Sequence, residues 1–117
     1  MDYGAALKLI AEIPTDSEGV WFQLRAGTDP GADRLNELLL ALDVAWQATH
    51  DRDRLPRSLA FGAACILHFS GEAQRNAVSS ELQVYALMLQ MAAFALFAGP
   101  GVHEFDIRRP GGKPFPR

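Results

Sequence analysis

Cys65, His68 and Glu72 are the residues whose types and spacing come closest to a chemical site. Their spacing of i, i+3 and i+7 would place all three on one side of an uninterrupted helix. Gly71 is expected to end that helix, because glycine adopts the left-handed conformation of a helix C-cap most readily. Zinc sites take three or four protein ligands, and the other histidines do not share this spacing. The pattern therefore favours a buried His68 packed beside Cys65, and we predict no metal and no cofactor.

Nucleophilic catalysis would require a thiol or hydroxyl activated by a base, such as Cys65 with His68. No sequence context supports it, since the chain contains no nucleophile elbow, Walker loop or dinucleotide-binding fingerprint. Bundles do hold ligands between helices, so the alternative is a small-molecule-binding protein or small enzyme with a pocket near Cys65, His68 and Trp46. The residues of this alternative pocket are Trp46, Phe61, Cys65, His68 and Tyr85. A non-enzymatic protein is the favoured interpretation.

The composition is that of one folded domain. The chain has 117 residues, of which 49% are hydrophobic and 21% charged, and this is enough for a single core. Its formal net charge of -3 gives no general attraction to nucleic acid or to an anionic membrane. We predict a single helical domain over residues 1–109 and an irregular, basic tail rich in proline and glycine over residues 110–117. One cysteine and an amino terminus without the pattern of a secretory signal lead us to expect a cytoplasmic location.

The spacing of apolar residues predicts a mainly α-helical protein, a compact bundle of about four helices. The first helix begins after Asp2, which is an N-cap residue, and ends at Pro14, which lacks a backbone amide proton. The second helix has its N-cap at Thr28 or Asp29, with Pro30 in the first helical position. Its main apolar face consists of Leu35, Leu38, Leu39, Leu42 and Trp46.

The third predicted helix begins near Arg57 and contains small residues in its middle, Gly62, Ala63 and Ala64. Small residues of this kind indicate that a neighbouring backbone approaches closely. Elsewhere, two segments alternate apolar and polar residues, as a half-buried strand does. They predict a possible minor two-stranded β element, Val20–Leu24 with Val102–Ile107.

The last helix has the least ordinary pattern in the chain. It is predicted to start at Glu72 or Asn76 and to end at Ala98, before a Gly-Pro-Gly segment. The stripe expected to face the bundle is Val78, Leu82, Tyr85, Leu89, Ala92 and Leu96. Beyond Gln90 the polar side disappears, so this helix is either central in the bundle or part of a subunit interface. The apolar run from Val84 is shorter than the roughly 20 residues of a membrane span, so a membrane is not the expected partner.

This last helix predicts a protein partner. A large apolar side chain left in water forgoes roughly 2 kcal/mol of burial free energy, and three other helices can cover the last one only in part. The predicted partner-binding residues are Leu87, Met91, Phe94 and Phe97, with Leu40 and Val44 of the second helix as secondary contacts. We therefore predict a small cytosolic, non-enzymatic protein that acts through protein–protein contacts. The expected form is a homodimer or larger assembly, serving as a bacterial regulator, inhibitor or immunity-type binding protein.

A DNA-binding regulator is the third hypothesis, because a helix-turn-helix arrangement is available between Asp29 and Ser70. Its candidate recognition helix, Arg57 to Phe69, is nearly all apolar. Base edges and phosphates require polar and basic side chains on such a helix. Nucleic acid is therefore not an expected partner.

Overall fold

Four α-helices make up most of the part of the chain that the structure describes. A computed structural model describes residues 1–15, 19, 23, 26, 28, 30–76 and 79–98. The helices are α1 (Tyr3–Glu12), α2 (Ala32–Thr49), α3 (Arg57–Asn76) and α4 (Ser80–Ala98), with a 3-10 turn at Ile13–Thr15 after α1. The predicted mainly helical bundle of about four helices is confirmed.

The predicted β element, Val20–Leu24 with Val102–Ile107, lies outside the described residues except for Gln23. Gln23 is helical, and its backbone N–H donates a hydrogen bond to the carbonyl oxygen of Gly19 with an N···O distance of 3.2 Å. A bond from residue i to residue i−4 is that of a helical turn. At this residue the structure therefore differs from the predicted strand. The predicted tail, residues 110–117, also lies outside the described residues.

The first helix begins as predicted, whereas the second does not. The Asp2 side chain accepts a hydrogen bond from the backbone N–H of Ala5 at 2.8 Å, as an N-cap residue does. The N-cap of α2 is Gly31, and Pro30 precedes the helix. Gly31 has a φ of 99°, which glycine alone adopts readily. The residue that precedes α2 thus has a backbone conformation that favours glycine. The prediction of a polar cap at Thr28 or Asp29 was wrong.

The boundary between α3 and α4 was also predicted wrongly. Gly71 lies within α3 and does not have a positive φ, so it is not a C-cap. Instead α3 continues to Asn76, and α4 begins at Ser80, where the hydroxyl of Ser79 accepts a hydrogen bond from the N–H of Leu82 at 3.1 Å. The predicted start of the last helix at Glu72 or Asn76 was therefore wrong, and the helix starts at Ser80 with Ser79 as its cap. The predicted end of α4 at Ala98 is confirmed.

The helices are arranged so that each packs mainly on two others. Both α1 and α4 pack on α2 and on α3, and the contact between α3 and α4 is the most extensive. Helices α1 and α4 therefore lie across one diagonal of the bundle, and α2 and α3 across the other. Among the described helices, α4 therefore lies at a corner of the bundle. The sequence predicted either a central position or a position in a subunit interface, and the central position is excluded.

The core is formed by one side of each helix. The apolar face predicted for α2 is buried at Leu35, Leu38, Leu39 and Leu42, while Trp46 is half-buried. The other large, fully buried apolar side chains are Ile10, Leu59, Ile66, Leu82 and Leu89. This core lies in the centre of the bundle, where the four helices meet.

The close backbone approach predicted from the small residues of α3 is confirmed at Gly62. A Cβ atom at Gly62 would overlap the carbonyl oxygen of Ile10 and would lie 2.7 Å from the Cγ2 atom of Ile10. Ala63 is buried beside it, whereas Ala64 is exposed and takes no part in the contact. Helices α1 and α3 therefore touch where Gly62 has no side chain.

We predict that Gly62→Ala lowers the free energy of unfolding by about 1 to 3 kcal/mol, because the added methyl group pushes α3 away from Ile10. Gly71→Ala in the same helix is the matched control. Its Cβ would meet only the end of the flexible Gln90 side chain, 3.4 Å away, so removing a mid-helix glycine should stabilise the protein by about 0.5 to 1 kcal/mol. Urea unfolding followed by circular dichroism measures both. Equal effects of the two substitutions would contradict the close approach at Gly62.

Candidate functional site

The outer side of α4 carries a row of apolar side chains in contact with solvent. Val84, Leu87, Phe94 and Phe97 have exposed fractions between 44% and 53%, and Met91 is half-buried. We call these five residues the α4 outer stripe. Four of them, from Val84 to Phe94, are separated by three, four and three positions, so they follow one side of the helix.

The inner side of α4 is the half that packs on α2 and α3. Leu82, Tyr85, Leu89 and Leu96 are buried, in agreement with the predicted inward stripe, and Ala92 is buried with them. Val78 of that predicted stripe lies outside the described residues. The helix is thus apolar on both sides, but only one side has neighbouring helices among those described.

Gln90 is the polar residue between the two sides of α4. Its Oε1 atom accepts a hydrogen bond from Nε2 of Gln74 at 2.7 Å, across the contact between α3 and α4. The side chain of Gln83 donates a longer bond, 3.5 Å, to the carbonyl oxygen of Gln74. These two hydrogen bonds join one edge of α4 to α3. The outer stripe itself contains only apolar side chains.

The exposure of the stripe has an energetic consequence. Full burial of a large apolar side chain is worth roughly 2 kcal/mol, so a side chain that is half exposed forgoes about 1 kcal/mol. Over five side chains this amounts to about 5 kcal/mol, which is comparable with the total stability of a small domain, about 5 to 15 kcal/mol. A surface that covers the stripe would therefore recover a large amount of free energy.

Helix α4 is also long and apolar enough to cross a membrane, by length and composition alone. An 18-residue window of this 19-residue helix has a mean hydropathy of 1.4. At 1.5 Å per residue the helix is about 28 Å long, close to the thickness of a bilayer core, so length does not exclude a span as the shorter apolar run had suggested. However, 44% of the window is buried in the bundle, and core helices pass the same test. This one helix is weak evidence for a membrane span.

Cys65, His68 and Glu72 do lie on one side of α3, because the helix is not interrupted at Gly71. The Nε2 atom of His68 is 3.5 Å from Oε1 of Glu72, and the His68 side chain is 67% exposed. The prediction of a buried His68 was therefore wrong: its position in α3 faces away from α1 and α4. Within the described part of the chain, no group of three or more His, Cys, Asp or Glu side chains is arranged to hold a metal ion.

The thiol of Cys65 is free and half-buried. Burial raises the pKa of this thiol, because the thiolate loses solvation. Catalytic cysteines have the opposite property, a lowered pKa that provides thiolate at neutral pH. The environment of Cys65 is thus that of a packed side chain, and His68 is directed instead toward Glu72 and toward the ring of Phe69.

The residues of the alternative pocket occupy different environments. Phe61 is 62% exposed and His68 is on the surface, whereas Tyr85 is buried in the core. Trp46 stacks on His50, with ring centroids 4.2 Å apart. This stacked pair was not predicted, although the i, i+4 spacing of an indole and an imidazole at the end of α2 is a signal for it.

The remaining predicted interface residues lie on α2. Leu40 is exposed and Val44 is half-buried. Val84, in contrast, is exposed on α4 but was absent from the predicted interface. Its position three residues before Leu87, on the same side of the helix, is the signal that would have identified it.

No protein-family model, curated protein or solved structure matches this chain. The surfaces and side chains described above are therefore the basis for assigning a function.

We predict that Cys65 reacts with iodoacetamide more slowly in the folded protein than in urea-unfolded protein at the same pH. The raised pKa leaves less thiolate when the protein is folded. The folded state holds the thiol proton more tightly, so this contribution to stability is present at neutral pH. It is lost as the pH rises through the raised pKa of the folded thiol. Alkylation rates across a pH series measure the reactivity, and urea unfolding over the same pH series measures the stability. A folded thiol that reacts faster than the unfolded one at neutral pH would favour the enzyme alternative.

Proposed function

We propose that this protein acts through protein–protein contact rather than catalysis, and that it associates with a second copy of itself through the α4 outer stripe. The observation that carries the proposal is the exposure of Val84, Leu87, Phe94 and Phe97 along one side of a single helix. Single exposed apolar residues are common on protein surfaces, whereas a contiguous row is typical of an interaction site.

The size of the stripe is consistent with a weak interface. A phenylalanine side chain has roughly 200 Å² of surface, so five half-exposed apolar side chains present about 400 Å². Two copies would bury about 800 Å² from the two stripes. That total is below the roughly 1,200 Å² at which stable, specific interfaces begin, and it is the size of a weak or transient contact. We therefore propose a reversible dimer that forms at micromolar concentrations.

The charge pattern supports a second copy as the occupant. From Leu82 to Ala98, α4 contains no Asp, Glu, Lys, Arg or His. Self-association of the stripe therefore brings no like charges together, although the chain as a whole has a formal net charge of -3. A partner recognised by charge would find nothing to pair with on this surface.

The proposed role is that of a small bacterial regulator, inhibitor or immunity-type protein that acts in the cytoplasm by binding another protein. The environment of Cys65 supports this role over a catalytic one, because burial raises the pKa of the thiol and leaves less thiolate at neutral pH. Leu40 and Val44 on α2 provide a second, smaller apolar surface for such contacts.

We predict that the wild-type chain, of 12.8 kDa, gives a dimer mass by light scattering at high micromolar concentration. Phe94→Glu should give a monomer mass with an unchanged helical circular dichroism spectrum, because a carboxylate in the centre of an apolar interface loses its solvation. Phe61→Glu is the matched control, since Phe61 is similarly exposed but lies on α3. It should leave the dimer intact.

Two results would contradict this proposal. A wild-type chain that keeps a monomer mass at every concentration has no self-association. A dimer that is dissociated by Phe61→Glu and not by Phe94→Glu uses another surface.

A further inference from the structure

We infer that the two copies of α4 pack antiparallel, about a two-fold axis at the level of Leu89. In this arrangement Val84 of each copy lies opposite Phe94 of the other, and Leu87 lies opposite Met91. The inference rests on the proposed function and adds the orientation and the register of the two helices.

The first support is the spacing of the residues along the outer side of α4. Val84, Leu87, Met91 and Phe94 follow the alternating three and four spacing of a heptad seam. The same spacing continues to Ser80 at the start of the helix and to Ala98 at its end, and all six positions are exposed or half-buried. Such a seam packs against another helix at a crossing angle of about 20°.

The seam is symmetric about the middle of the helix. Its members lie two, five and nine positions on either side of Leu89, which is the central residue of Ser80–Ala98. A two-fold axis at this level therefore matches every one of these six seam positions with another. Phe97, the fifth member of the α4 outer stripe, lies beside the seam at its margin. An interface made of the same patch on both copies has this property of self-complementarity.

Side-chain size favours the antiparallel orientation. Antiparallel layers pair Val84 with Phe94 and Leu87 with Met91, so a smaller side chain meets a larger or a similar one. The outermost layers pair Ser80 with Ala98, which are both small. In a parallel pair each residue would meet itself, with a narrow layer at Val84 and a wide one at Phe94. Close packing requires an even separation of the helices, and the antiparallel layers provide it.

Electrostatics favours the same orientation. Glu81 is the only charged residue of α4, and it lies in the first turn. A parallel pair would bring two copies of Glu81 to the same end and would align the two helix dipoles. An antiparallel pair places the carboxylates at opposite ends and opposes the dipoles, which is the more favourable arrangement.

The register can be tested by disulfide cross-linking, because Cys65 is the only cysteine in the sequence and can be replaced by alanine. In that background we would prepare Val84→Cys and Phe94→Cys separately, with an affinity tag on one of them. The two proteins are oxidised with copper phenanthroline, alone and after mixing. We expect a cross-linked dimer of mixed mass in the mixture and none with either variant alone. Leu87→Cys mixed with Met91→Cys should form a mixed dimer as well.

The geometry makes this test selective. In the antiparallel pair, two copies of position 84 are offset by ten residues, or about 15 Å along the helix. A disulfide needs Cα atoms within about 7 Å, so two copies of position 84, or two copies of position 94, cannot cross-link. Two copies of position 87, or two copies of position 91, are offset by only four residues, about 6 Å, so the pair 84 and 94 is the one that decides the orientation. In a parallel pair, Val84→Cys alone and Phe94→Cys alone would each form a dimer, and the mixture would give no mixed product.

The outcomes separate this inference from the proposed function. If the wild-type chain dimerises and Phe94→Glu dissociates it, but each cysteine variant cross-links only with itself, the orientation is wrong and the proposed surface stands. A wild-type dimer without a mixed product in either mixture also overturns the register. A wild-type chain that stays monomeric overturns both, and one that sediments with phospholipid vesicles instead of dimerising identifies a membrane as the occupant of the stripe.

Discussion

A helix at the corner of a four-helix bundle has neighbours on only half of its circumference, and this constraint determines what is distinctive about the protein. Helix α4 packs on α2 and α3 and buries Leu82, Leu89 and Leu96 between them. The opposite half has no neighbour among the described helices, yet it is apolar as well. Other outward positions in the described part carry charged groups, such as Lys8 on α1 and Arg75 on α3. The outer half of α4 has no such groups beyond its first turn, and this distinguishes it from the other solvent-facing positions.

The two glycines of α3 have different surroundings. Gly62 and Gly71 are nine residues apart, which is two and a half helical turns, so they lie on opposite sides of the helix. Gly62 is in contact with the backbone of Ile10, and Gly71 lies against the side chain of Gln90. Gly62 therefore sets how closely α1 and α3 approach, whereas Gly71 leaves room beside α4 for an added methyl group.

The sequence was sufficient for features that depend on local chemistry and insufficient for those that depend on neighbours. The cap at Asp2, the apolar face of α2 and the close approach at Gly62 were predictable, because each follows from residue type and spacing. The role of Gly71 was not, since a glycine that ends a helix and one inside a continuous helix cannot be distinguished from the sequence alone. The burial predicted for His68 failed for a related reason. The small and apolar residues around it give α3 no strongly polar face from which its outward side could be recognised.

The same limit explains which part of the candidate site the sequence could provide. A helix that is apolar all round contains no information about which half faces its own bundle, and that division came from the positions of α2 and α3. Once the outer half of α4 is identified, its lack of charge and its heptad spacing both favour packing against another helix. An exposed seam without charge has no element that rejects a second identical seam, whereas interfaces that exclude self-association use repulsive charges for that purpose. Under the proposed function, self-association is therefore the default behaviour of this surface, and any other partner must compete with a second copy for the same residues.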